Sequence, residues 1–152
     1  MPNLMSVEEI LDFAIDSEQK AVDLYLSLAA EARRPAIRQA LEEFAEEERK
    51  HKALLISVKE GKKLLAEGKE QVMDLQIAEY TVAEAPKPGS DYQSILLFAM
   101  KKEKAAFKLY MKLANETDNA ELKQILIGLA QEEAKHKLYF EMEYDEVILS
   151  EN

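Results

Sequence analysis

Cysteine is absent from the 152 residues. That excludes disulfides, thiolate zinc sites, cysteine-ligated iron–sulfur or rubredoxin iron, and cysteine nucleophiles. Glycine and proline occur only four times each, too few for the many turns of an all-β chain. Basic residues are in deficit: 20 Lys and Arg against 30 Asp and Glu leave a net charge of −10. With no basic surplus to neutralise phosphates, neither nucleic acid nor an anionic membrane surface is an expected partner. Long apolar runs are missing too. The longest, Ile95 to Met100, falls far short of the roughly 20 residues that span a bilayer. The opening MPNLMSVEEI has no basic segment leading into an apolar one, so no signal peptide is expected and a cytoplasmic setting is.

What is present suffices for one core. A chain of this length buries roughly 70% of its unfolded surface without staples, and a single domain over residues 1–152 is expected. The chain also repeats itself. Residues 10–55 and 95–140 align without a gap, with 19 identities in 46 positions. They include Ile10/Ile95, Phe13/Phe98, Glu18/Glu103, Tyr25/Tyr110, Glu48/Glu133 and His51/His136. Two copies are too few for a solenoid; a duplicated helical hairpin, two halves of one four-helix bundle, is the simpler reading.

Local signals agree. Ser6-x-x-Glu9 and Asp118-x-x-Glu121 read as capping boxes, and Pro35 suits the first position of a helix. Apolar residues recur at helical spacing and predict helices over 7–32, 35–66, 91–116 and 119–148. Two hairpins joined through residues 67–90 require a long crossover, with the second and third helices parallel. The pattern from Val72 to Val82 mixes helical and alternating apolar spacing and assigns neither, and Pro86 to Gly89 is a break.

Inside the apolar stripes sit residues that a core should not hold. Glu18 lies between Leu11, Ile15 and Val22, Tyr25. Glu48 and His51 lie between Leu41, Phe44 and Leu55. Glu103 lies between Leu96, Met100 and Phe107, Tyr110. Glu133 and His136 lie between Leu126, Leu129 and Phe140. Each Glu is 15 residues from the centre of its predicted turn, about 22 Å along a helix, so all four meet at one level. Four buried carboxylates without cations cost many kcal/mol or protonate. Two divalent cations would cancel their charge, and oxygen with imidazole nitrogen suits iron, manganese or zinc. Tyr25 and Tyr110, seven residues after Glu18 and Glu103, are placed to donate hydrogen bonds to ligand carboxylates across the bundle. Glu47 and Glu132 point some 100° away from that face. Met100, Met111 and Met142 read as core filler.

The set Glu18…Tyr25, Glu48-x-x-His51, Glu103…Tyr110 and Glu133-x-x-His136 resembles the ferritin-like di-iron carboxylate superfamily, most closely its rubrerythrin branch. The resemblance covers nearly the whole chain and implies an all-α, ferritin-like four-helix bundle. It implies that Glu18, Glu48, His51, Glu103, Glu133 and His136 bind two iron ions, with Glu48 and Glu133 bridging and Glu18 and Glu103 terminal. It also implies reduction of hydrogen peroxide or dioxygen, with ferritin-type iron oxidation and storage as the alternative; apart from the resemblance, a structural bundle that holds zinc is a third reading. Rubrerythrins proper carry a four-cysteine rubredoxin domain; without cysteine, this chain is expected to draw electrons from a separate donor protein. They also carry an extra Glu where Ala106 stands here, matched by Ala21 in the first copy. Glu79 or Glu84 could supply another carboxylate. Arg49 replaces the haem-ligating Met of bacterioferritins, so no haem is expected. A homodimer is the expectation for assembly.

Overall fold

The computed structural model describes residues 4–61, 72–74, 80, 82 and 91–151. Four helices dominate: α1 (Val7–Glu31), α2 (Pro35–Gly61), α3 (Tyr92–Glu116) and α4 (Ala120–Glu151). The expected extension of α2 to residue 66 lies outside the described residues, as do Glu79 and Glu84.

The ends follow from side-chain chemistry. A helix leaves its first four backbone N–H groups without partners, and a short polar side chain just ahead of it can accept from them. At α1 the Ser6 hydroxyl accepts from the Glu9 N–H at 3.0 Å, while the Glu9 carboxylate accepts from the Ser6 N–H at 3.3 Å. At α3 the Asp91 carboxylate accepts from Ser94 N–H at 2.8 Å. At α4 the expected box at Asp118 is not formed. Asn119 caps instead, its side-chain oxygen accepting from Leu122 N–H at 3.0 Å. The reason is the tightness of the turn: Thr117 closes α3, its hydroxyl accepts from Asn119 N–H at 3.2 Å, and Asp118 is left between two caps.

The helices pack as two hairpins, α1 with α2 and α3 with α4. Two apolar clusters fix their directions. One joins Ile10 and Leu11 of α1 with Leu55 of α2, Leu113 of α3 and Leu122 of α4. The other joins Leu28 of α1 with Leu41 of α2, Leu96 of α3 and Phe140 of α4. The C-terminal halves of α2 and α3 therefore share one end of the bundle. These two helices are parallel, and the chain between them must cross its length. A short antiparallel ribbon accompanies that crossover: β1 (Leu4–Ser6) pairs with β2 (Val72–Asp74), Met5 opposite Met73. It lies where the sequence pattern was ambiguous, and it ties the connection to the start of α1. Among the described residues, no helix is long and apolar enough to cross a membrane.

Most stripe and filler residues are buried or partly buried as their spacing predicts, with two departures. Met100 and Met111 pack partly buried against the clusters, but Met142 is 68% exposed and fills no core. Phe107 is also at the surface, because Ala106 takes the neighbouring inward position.

Candidate metal centre

Between the two apolar clusters lies one polar layer. Glu18, Glu48, Glu103 and Glu133 are each 1–2% exposed, and His51 and His136 are buried with them. Each side chain is inward because its helix places it on the stripe that must face the other three helices. The 15-residue distance from each turn then sets the common level.

The six fall into two overlapping groups. Glu18, Glu48, His51 and Glu133 form one; Glu103, Glu133, His136 and Glu48 form the other. Within each group, one ligand atom per residue lies within 4.8 Å of the rest. Glu48 and Glu133 belong to both. Each imidazole reaches across to the other hairpin: His51 Nδ1 lies 2.8 Å from Glu133, and His136 Nδ1 lies 3.0 Å from Glu48. The Tyr110 hydroxyl donates to the Glu18 carboxylate across the bundle. Its repeat-mate behaves differently. The Tyr25 hydroxyl has no hydrogen-bond partner among the described residues, and its ring packs on Phe140 and edge-on to His136.

Unpartnered atoms are the decisive feature. Buried polar atoms in folded proteins are nearly always hydrogen-bonded. Here one oxygen of Glu18, both of Glu48, both of Glu103 and Nδ1 of His136 are buried without a well-directed hydrogen bond among the described residues, the approach of His136 Nδ1 to Glu48 being an ion-pair contact only. A protein interior does not tolerate such a set of anions unless cations take up their lone pairs. Four carboxylates and two imidazoles, grouped in two overlapping sets, suit two divalent metal ions in both charge and donor number.

The sequence matches the rubrerythrin family over residues 9–144. The chain belongs to the rubrerythrin family. A solved structure of a hypothetical protein from Pyrococcus furiosus is similar, at 32% identity and a TM-score of 0.72, covering 93% of this chain and 89% of that one. No curated protein matches.

In this rubrerythrin-family layer the carboxyls feel burial first. Burial, together with the charges of Glu133 and Glu18, pushes Glu48 well above the usual carboxylate range. Burial and the charges of Glu103 and Glu18 do the same to Glu133. Burial carries Glu103 up to about 8, although the neighbouring Glu133 carboxyl acts the other way. For Glu18, burial acts upward but is outweighed. The neighbouring Glu48 carboxyl, the His51 imidazole and its charge, and the Tyr110 hydroxyl hold it below the usual range. Burial opposes charge on the imidazoles, but carboxylates win: Glu133 and Glu18 raise His51 to about 11, and Glu48 raises His136 to about 9. Without metal, protons do the neutralising.

The layer extends further than the sequence spacing suggested. Glu47 and Glu132 do not point clear of it. Half-exposed, they reach over the rim to the outer nitrogens of the opposite imidazoles: Glu47 lies 2.5 Å from His136 Nε2, and Glu132 lies 3.4 Å from His51 Nε2. The 100° between neighbours on a helix is correct for the backbone, but a Glu side chain is long enough to bend back. The one available signal was reciprocal: each repeat carries a Glu immediately before the Glu of its Glu-x-x-His.

Proposed function

We propose that the protein is a di-iron oxidoreductase that reduces hydrogen peroxide, with dioxygen as the other candidate oxidant, using electrons from a separate donor protein. The observation that carries this reading is the sharing of Glu48 and Glu133 between two buried donor groups. Two metals held that close can act on one small oxidant together, which a single site cannot. Glu18 and His51 would hold one ion and Glu103 and His136 the other, with Glu48 and Glu133 bridging. When bound, the iron pair supplies one electron from each metal, the two that peroxide needs with two protons to become two waters.

The chain's own residues supply the remainder. Tyr110 fixes one Glu18 oxygen and leaves the other free toward the centre. Glu47 and Glu132 hold the outer imidazole nitrogens, which turns each Nδ1 inward and keeps it basic. The apolar clusters on either side exclude water and keep the local dielectric low. A cytoplasmic setting fits the net charge of −10 and the absence of cysteine.

Stopped-flow oxidation of the anaerobic, Fe(II)-loaded protein tests the reading. Reaction with peroxide much faster than with dioxygen, with both irons retained, is expected. Faster reaction with dioxygen, followed by oxidation of added iron beyond two per chain, would replace it with ferritin-type iron storage.

A further inference from the structure

Aromatic rings pack around His136 and leave His51 bare. Phe44 lies on the His136 imidazole, ring centres 4.3 Å apart and planes tilted by 32°. Tyr139 meets Phe44 edge-on at 5.0 Å. A longer line runs from Tyr139 to Phe140 at 6.1 Å, on to Tyr25 at 5.2 Å, and to His136 at 6.1 Å. Among the described residues, no aromatic ring packs on His51. The duplication supplies the comparison. The positions equivalent to Phe44, Tyr139 and Phe140 hold Leu129, Leu54 and Leu55. Glu47 and Glu132 approach the two imidazoles in the same way, so the carboxylates do not set the two sides apart, and the rings do. Edge-on and tilted contacts stabilise an aromatic cluster wherever it forms, which does not explain why it surrounds one histidine of two. The line also leads outward. Phe140 and Tyr25 are fully buried, Phe44 and Tyr139 are half-buried, and Leu138 and Met142 beside Tyr139 are 57% and 68% exposed.

We propose that electrons enter the metal centre through Tyr139, Phe44 and His136, and that the one-electron carrier protein delivering them docks where Tyr139 reaches the surface, beside Leu138 and Met142. The proposal rests on the oxidoreductase reading and adds to it which side of the centre is reduced and by what route. An electron tunnels far better through touching atoms than across gaps, and the π systems of packed rings couple more strongly than the saturated leucines of the other repeat. The rings serve only as a bridge, and none of them is itself reduced. Each encounter moves one electron: the carrier loses it, the centre gains it, and no bond forms or breaks. Two encounters supply what one peroxide consumes. Two exposed apolar side chains around one half-buried ring make a small contact, at the low end of interface sizes, which suits a carrier that must leave after each transfer.

A photoreducing label tests the route. The chain has no cysteine, so a ruthenium–bipyridyl label takes only an introduced thiol. Met142→Cys and Ser57→Cys are equivalent, exposed positions, each six residues beyond a centre histidine. With the label reduced by a flash and a sacrificial donor, loss of Fe(III) absorbance times the arrival of the electron. Arrival from position 142 should be about tenfold faster than from position 57. Phe44→Leu or Tyr139→Leu, in chains that still hold two irons, should bring it down to the rate from position 57, and Tyr139→Phe, which keeps the ring, should not. The metal-free protein gives a second readout. The Phe44 ring should shift the His136 ring-proton resonances upfield, and Phe44→Leu should abolish that shift. Equal arrival from the two labels, indifference to both leucine variants, or His136 resonances unmoved by Phe44→Leu would overturn the route alone. No arrival from either label in a chain holding two irons would overturn the oxidoreductase reading with it.

Discussion

Tyr25 and Tyr110 occupy the same place in the two repeats and have different surroundings. Tyr110 donates to Glu18, while the Tyr25 hydroxyl is buried without a partner among the described residues. Removing a donor strands a buried acceptor, whereas removing an unpartnered hydroxyl strands nothing. Tyr110→Phe should therefore lower the stability of the metal-free protein by about 1–3 kcal/mol in urea unfolding. Tyr25→Phe should leave it within about 0.5 kcal/mol. Equal losses in both would show that the repeats are equivalent in solution. At this scale the buried carboxylates and imidazoles were legible in the sequence, because a charged residue amid a 3.6-residue apolar pattern has nowhere to point but inward. The difference between the tyrosines was not, since identical letters at identical spacing carry no record of which partner lies across the bundle. Glu47 and Glu132 were missed for a related reason: angular position on a helix fixes Cβ, not the end of a long side chain.

At the level of elements, the duplication made the four helices readable, and the Ser6 box and Pro35 marked two of their starts correctly. The turn between α3 and α4 went the other way. Asp118-x-x-Glu121 satisfies the capping pattern, but Thr117 and Asn119 leave it no role. Asn119→Ala should cost about 1 kcal/mol in thermal or urea unfolding, the usual loss of an N-cap. Asp118→Ala should cost less than about 0.5 kcal/mol. The reverse order would restore the cap to Asp118. The β1–β2 ribbon was not legible, because three residues on each side are too few to establish a period of two. Met142 was misjudged because Met packs in cores more often than not, and only the bundle's geometry places it outside.

Across the whole molecule, the buried layer of carboxyls and imidazoles opposes the fold unless protons or metal ions neutralise it. In the metal-free protein Glu103 is raised to about 8, His136 to about 9 and His51 to about 11. Each is raised above its ordinary value. Its contribution to stability is therefore complete below that ordinary value, near 4.5 for Glu103 and 6.5 for the histidines, and is lost as pH rises through the folded value. Glu18 is lowered and works in the opposite sense, losing its contribution on acidification. Stability of the metal-free protein should thus fall as pH rises from 5 to 9, with Tm dropping by about 5 °C or more. Metal requires the deprotonated forms, so loading should release protons and remove or reverse that fall. A metal-free Tm that climbs over this range would contradict the protonated layer.

The sharing of Glu48 and Glu133 is tested most directly by counting iron. Anaerobic titration of the metal-free protein with Fe(II) should end at two ions per chain. Glu18→Ala should weaken mainly one of them, and Glu48→Ala should weaken both. A wild-type chain that binds one ion or none, or a Glu48→Ala chain that holds two as tightly as before, would contradict the account.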